Sequence, residues 1–180
     1  YATSTFTGLM HAFGGPSASG VDGGAAGTIY IKPDAQTNPD LIVDAGAGAA
    51  HRRAETTVAG DRTYHDVIDR GAANLRFTSP ASVQGSVTLS GVSWLTLPTG
   101  MNTIGGDLLL SSAGNVVFSP AGEQLQLTLG NDVRVETGSA ITSDGRGFAG
   151  GQGPGAGGAS NNGGIGAAGG GHGGEGALAL

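Results

Sequence analysis

From Tyr64 onward the chain repeats at a spacing near twenty residues. Apolar triplets begin at Val67, Val87, Leu108 and Leu127, at separations of 20, 21 and 19 residues. A second set follows them at Leu75-Arg76-Phe77, Leu95-Thr96-Leu97, Val116-Val117-Phe118 and Val133-Arg134-Val135. A unit this short cannot enclose an apolar face by itself, so each copy must stack on the next. The spacing predicts a β-solenoid in which Val87, Leu89, Leu108, Leu110, Leu125 and Leu127 face a shared core.

Local pattern points the same way. No window of a dozen residues keeps apolar positions at helical spacing without a glycine or proline intruding, whereas period-two alternation is common. Strands are expected at Ser4–Met10, Thr28–Lys32, Leu41–Asp44, Val67–Asp69, Asn74–Phe77 and Ser86–Leu89. Further strands are expected at Ser93–Leu97, Asp107–Leu110, Asn115–Phe118, Leu125–Leu129, Val133–Glu136 and Ala140–Thr142. The class is all-β. A β-sandwich is the alternative, since it also spaces strands by 8 to 12 residues. It would need tight hairpin turns, and no Asn-Gly or Asp-Gly lies between adjacent strands from 64 to 142. The 180 residues suit one module, 1–180.

The tract Gly145 to Gly176 holds 17 glycines in 32 positions. Ordering it costs on the order of 10 kcal/mol more than ordering alanine, so it is either disordered or packed where side chains do not fit. Glycines three apart, as at Gly147, Gly150 and Gly153 or Gly170, Gly173 and Gly176, fit a polyproline-II-like insertion in several short segments. Ile165, His172 and Asn161-Asn162 are residues that a free linker does not need, and they favour packing.

Charged residues make up 12% of the chain, with a net charge of −6 and no cysteine. Clustered Lys and Arg along a phosphate track are missing, which argues against nucleic acid. No run of eighteen apolar residues occurs, so membrane insertion by a helix is not expected. Tyr1 opens without an initiator methionine or signal peptide, so a piece of a longer chain or fibre is expected.

The segment Tyr64 to Phe77 (YHDVIDRGAANLRF), the series SVTLSGVSWLTLP, the glycine-rich tract and Gly23 to Gly48 resemble repeat regions of very large bacterial surface or secreted proteins. The resemblance covers most of the chain but is one of pattern and composition, without a catalytic signature. It implies right-handed parallel β-helix coils with glycine-rich insertions, in an adhesin-like protein at the cell surface or outside the cell. It implies no chemistry.

Candidate sites are few. His65, Asp66 and Asp69 lie close together near Asp61, and grouped carboxylates could serve a polysaccharide lyase or hydrolase. Alternation along Val67-Ile68-Asp69-Arg70 sends Asp66 and Asp69 to opposite faces, however, and a solvated coil edge is the plainer reading. Arg52, Arg53, Arg62, Arg70 and Arg76 form a basic region facing Glu55, Asp61, Asp66 and Asp69. It could dock an acidic surface glycan, and local pairing is the plainer alternative. His172 with Glu175, and Asp144 beside its glycine, are weak metal candidates; calcium is conceivable at Asp107, Asp132 or Asp144, although no calcium nonapeptide recurs. Trp94, between Val92 and Leu95, is expected in the core. Signatures of serine, zinc or phosphate chemistry are missing from the sequence, so neither a cofactor nor an enzyme is expected.

The ends carry a last expectation. Tyr1 to Met10 and Ala177 to Leu180 read as apolar strands without nearby charge or a polar cap. Open edges recruit strands, so self-assembly by strand addition into a rod or fibre is expected.

Overall fold

The computed structural model describes residues 10–15, 23–46, 54–118 and 125–144. The expectations for Tyr1 to Leu9, for the glycine-rich tract with His172 and Glu175, and for Ala177 to Leu180 lie outside those residues. Among the described residues there are strands and no helix, stacked as a parallel β-solenoid of about 4 turns.

The chain enters through β1 (Thr28–Ile31), β2 (Asp40–Asp44) and β3 (Thr56–Val58). Each later turn lays down one strand per face. These are β4 (Thr63–Tyr64), β5 (Val67–Arg70) and β6 (Asn74–Phe77), followed by β7 (Ser82–Val83), β8 (Val87–Ser90) and β9 (Trp94–Leu97). Next come β10 (Gly100–Ile104), β11 (Leu108–Leu110) and β12 (Asn115–Phe118), and then β13 (Leu125–Leu129), β14 (Val133–Val135) and β15 (Ala140–Thr142). Three sheets result, ordered β1-β2-β5-β8-β11-β14, β4-β7-β10-β13 and β3-β6-β9-β12-β15. Every pairing is parallel except β1 on β2.

The pleat explains which residues fill the interior. Alternate positions of a strand face opposite sides, so β5, β8 and β11 bury Val67, Val87, Leu89, Leu108 and Leu110 while Ile68, Thr88 and Leu109 are partly exposed. In-register stacking of identical coils then lines apolar side chains into columns. Each fully buried Val or Leu contributes about 1.5–3 kcal/mol of transfer free energy.

The register corrects one part of the repeat. Leu108 pairs with Val133, and Leu127 pairs with Asn102 on a different sheet. The column is therefore Val67, Val87, Leu108, Val133, and the last interval is longer. Six residues separate β12 from β13, whereas two separate β9 from β10, and this lengthening displaced the spacing. Leu127 is partly buried and packs on the core, while the side chain of Leu125 lies outside the described part. The strand triplet Val133 to Val135 belongs with Leu108 to Leu110, not with Val116 to Phe118.

Trp94 is a second correction. It is only partly buried, because the alternation that carries Leu95 and Leu97 inward turns it outward.

On one face only the strand Leu125–Leu129 had a clear signal in sequence. Strands β4, β7 and β10 sit at Thr63–Tyr64, Ser82–Val83 and Gly100–Ile104, too short or too polar to read as strands. Asn102 shows why polarity is tolerated there. It is fully buried, its Oδ1 accepts from Ala81 N at 2.9 Å, and its Nδ2 donates to Pro98 O at 3.0 Å and Gly100 O at 3.1 Å. A buried amide with its hydrogen bonds made carries little penalty.

The corner after β5 and β8 is equally specific. Gly71 has φ +68, and a Cβ there would meet the backbone N and O of Gly46 at 2.8 Å, so only glycine fits beneath the neighbouring turn.

Candidate functional site

The chemistry collects at the corner leading into the sheet that contains β2, β5, β8, β11 and β14. One residue before or at the start of each of these strands is an acid or a serine: Asp40, Asp66, Ser86, Asp107 and Asp132. Their side chains form a ladder along the solenoid. Asp66 N donates to Asp40 Oδ1 at 3.2 Å, Ser86 N to Asp66 Oδ1 at 2.7 Å, Asp107 N to Ser86 Oγ at 3.0 Å and Asp132 N to Asp107 Oδ1 at 3.1 Å. Each of the first four side chains thus accepts the corner N–H of the following turn, a group that would otherwise need water.

The residue before each ladder position forms a second column. His65 N donates to Pro39 O, Gly85 N to His65 O, Gly106 N to Gly85 O and Asn131 N to Gly106 O. Glycine is needed at two of these positions because the corner backbones nearly touch; a Cβ on Gly106 would meet Gly85 C and O at 2.8 Å. A histidine stands in this column at one turn, beside two of the ladder carboxylates.

His65 Nδ1 lies 3.0 Å from Asp40 Oδ1, 3.3 Å from Asp66 Oδ2 and 3.2 Å from Gln36 Nε2. One ligand atom from each of Asp40, His65 and Asp66 falls within 4.8 Å of the others. All three side chains are half-buried, with His65 at 38%. Solvent reaches the cluster, and an imidazole with two carboxylates is a competent donor set for a divalent cation. Among the described residues this is the one group of three such side chains.

Of the sequence candidates, the structure brings His65 and Asp66 together and separates Asp69 from them. Asp69 points to the interior with 0% exposure, paired in register with Val43 and Leu89, and neither carboxyl oxygen has a hydrogen-bond partner. Burial pushes its pKa well above the ordinary carboxylate value, and the nearby Asp44 adds to the rise. Asp69 is therefore an interior acid and does not converge with Asp66 at the surface. Asp144 is exposed, and its N–H donates to Thr142 Oγ1.

Arginines of the basic region are taken up locally. Arg70 Nε donates to Asp44 Oδ2 at 2.8 Å, Arg76 reaches Glu55 at 3.4 Å, and Arg62 lies 5.5 Å over the Tyr30 ring. Arg52 and Arg53 lie outside the described residues.

Sequence reasoning overlooked Asp40 and Gln36. A signal for Asp40 existed: the tetrads Asp40-Leu-Ile-Val, Asp66-Val-Ile-Asp, Ser86-Val-Thr-Leu, Asp107-Leu-Leu-Leu and Asp132-Val-Arg-Val align on the acid or serine. Gln36 comes from the loop before β2 and carries no periodic mark.

Compared with protein-family models, with curated proteins and with solved structures, the chain matches none. The class is set by the fold itself, a parallel β-solenoid.

Proposed function

We propose that the chain is a structural module of an extracellular or bacterial cell-surface protein, a stiff rod element that lengthens by addition of turns and can carry adhesive contacts. The observation that supports it most is the state of the last described turn. β14 and β15 expose Val133 at 45%, Val135 at 44% and Ile141 at 39%, and each has one strand neighbour among the described residues. Apolar edge strands are templates for further pairing. Each added turn would extend the rod by about 4.8 Å, with stiffness arising from three simultaneous ladders. End-to-end assembly through these edges is the partner interaction that the reading requires, and a surface glycan would be a secondary contact.

The polysaccharide-active alternative has less support. Its proposed carboxylates, Asp66 and Asp69, lie on opposite sides of the β5 strand, and a glycosidase or lyase needs its acids to converge.

Sedimentation of the full chain over a wide concentration range tests the proposal. Rod-like oligomers that shorten when Val133 and Val135 are both replaced by Lys, with unchanged circular dichroism, are expected. A strictly monomeric chain at high concentration would overturn the assembly part of the reading.

A further inference from the structure

We propose that Asp40, His65 and Asp66, joined by Gln36, form a binding site for a first-row divalent metal ion such as Zn²⁺ that ties the entry strand β2 to the first full turn. It is independent of the rod assembly above. The corner column supplies the first reason. Where the later turns have Gly85, Gly106 and Asn131, this turn has an imidazole, set between two carboxylates that already have a structural task. Asp66 spends Oδ1 on the N–H of Ser86, which leaves Oδ2 facing His65. Asp66 is thus anchored by the ladder and offers its second oxygen to the cluster, while Asp40 faces His65 with Oδ1, the oxygen that also accepts Asp66 N–H.

A second observation is independent of the acids. The hydrogen bonds around His65 Nδ1 cannot all be made. Asp40 Oδ1 and Asp66 Oδ2 are acceptors and require a proton on Nδ1, whereas Gln36 Nε2 is a donor and requires its lone pair. At the same time Gln36 Oε1 is buried without any partner. Rotating the Gln36 amide by half a turn points that orphan oxygen at the same place. Imidazole Nδ1 then faces three acceptors, two carboxylate oxygens and an amide oxygen. A cation satisfies every one of them, and a single N–H does not.

Distances agree with an ion of the size of zinc. Metal–ligand bonds of about 2.1 Å place neighbouring ligands about 3.0 Å apart in an octahedron and about 3.4 Å apart in a tetrahedron. The contacts at Nδ1 are 3.0, 3.2 and 3.3 Å. Calcium prefers six to eight oxygens at longer bonds, and the nitrogen ligand favours zinc, with manganese weaker by the usual order of affinities. The ligands come from the loop before β2, from β2 and from the following corner, so the ion would bridge two consecutive turns and stabilise the fold by mass action.

Titration calorimetry of the full chain with ZnCl₂, MnCl₂, CaCl₂ and MgCl₂ tests the site. One zinc per chain is expected, with manganese weaker and calcium and magnesium weaker still, and with a rise in melting temperature on adding zinc. His65→Gly installs the residue that later turns use at this corner, so the fold is retained while the ring is lost. It should weaken zinc binding by at least the roughly 10- to 100-fold that loss of even an outer-sphere partner produces, and remove the melting shift. Asp66→Asn keeps an acceptor for Ser86 N and should weaken binding as well. His172→Ala should leave it unchanged. Absence of saturable zinc binding in the unmodified chain, equal affinity in His65→Gly, or calcium binding as tight as zinc would each overturn the site.

Discussion

The two ends of the solenoid are built differently although the turns between them are alike. At the entry end, β1 lies antiparallel on β2 and closes that sheet. Beside it, Ala54 N donates to Gly23 O and Thr56 Oγ1 to Ala26 O at 2.6 Å, so the segment from Gly23 to Gly27 covers β3. Gly27 N in turn donates to Ala12 O, and the Tyr30 ring stacks 6.2 Å from Tyr64. At the exit end, β13, β14 and β15 each have one strand neighbour among the described residues, and Val133, Val135 and Ile141 are exposed. A parallel solenoid has no intrinsic end, so its termination has to be encoded separately. Among the described residues such a device is present at the entry, a strand that runs against the others.

The largest effect that sharpens this comparison sets one column position against another. Leu108 is fully buried in the middle of the column and Val133 sits on it at the exposed end. Leu108→Asp buries an unpaired charge and should cost about 4 kcal/mol or more, abolishing the folded state. Val133→Asp should cost within about 1 kcal/mol in the monomer, because water reaches the site. Urea unfolding of both variants separates them. Comparable losses would show that the exit turn is covered as fully as the middle.

Next in size is a pH effect confined to the entry half. Asp69 is raised by burial and by Asp44 from its ordinary value of 3.8. Because its folded-state pKa lies above the unfolded one, its contribution to stability is fully present below about pH 3.8 and is lost as pH rises through the raised value. Asp69→Asn should remove that loss, giving a variant whose stability relative to the unmodified chain improves as pH increases. Thermal melts from pH 4 upward check this, and a constant difference between the two proteins across that range would show that Asp69 does not titrate in the fold. The corresponding interior position of the next turns is Leu89 and Leu110, so they should show no such dependence.

Much of this architecture was legible in the sequence. Strands on two faces followed from alternation, since Val67, Val87 and Leu108 or Leu75, Leu95 and Val116 repeat both polarity and spacing. The third face was hidden because Thr63–Tyr64 and Ser82–Val83 are two-residue strands and β10 turns a polar Asn102 inward. Register of the last turn failed for a different reason: a six-residue connection before β13, four longer than the one before β10, let Leu127 imitate the spacing that belongs to Val133. At the candidate site, His65 and Asp66 stood out as neighbours in sequence. Asp40 is 25 residues from His65 and joins it through parallel stacking, which becomes visible when the coils are aligned on their first acid or serine.

The smallest predicted effect is also the most direct probe of the open end. Asp107 Oδ1 accepts the N–H of Asp132, while no N–H from a described residue reaches the Asp132 carboxylate, the last step of the ladder. Asp107→Ala should therefore cost about 0.5–1 kcal/mol, the low side for a hydrogen bond at an exposed corner. Asp132→Ala should change stability by no more than about 0.3 kcal/mol, as for a surface substitution without partners. Denaturant midpoints at low protein concentration, where association is suppressed, give the comparison for a single solenoid. Repeated at high concentration, the experiment asks whether a further turn has been added: a strand docked on β14 would bring its own corner N–H to Asp132, and Asp132→Ala would then become as costly as Asp107→Ala. If the two variants differ equally at both concentrations, no turn is added there and growth from the exit end is ruled out.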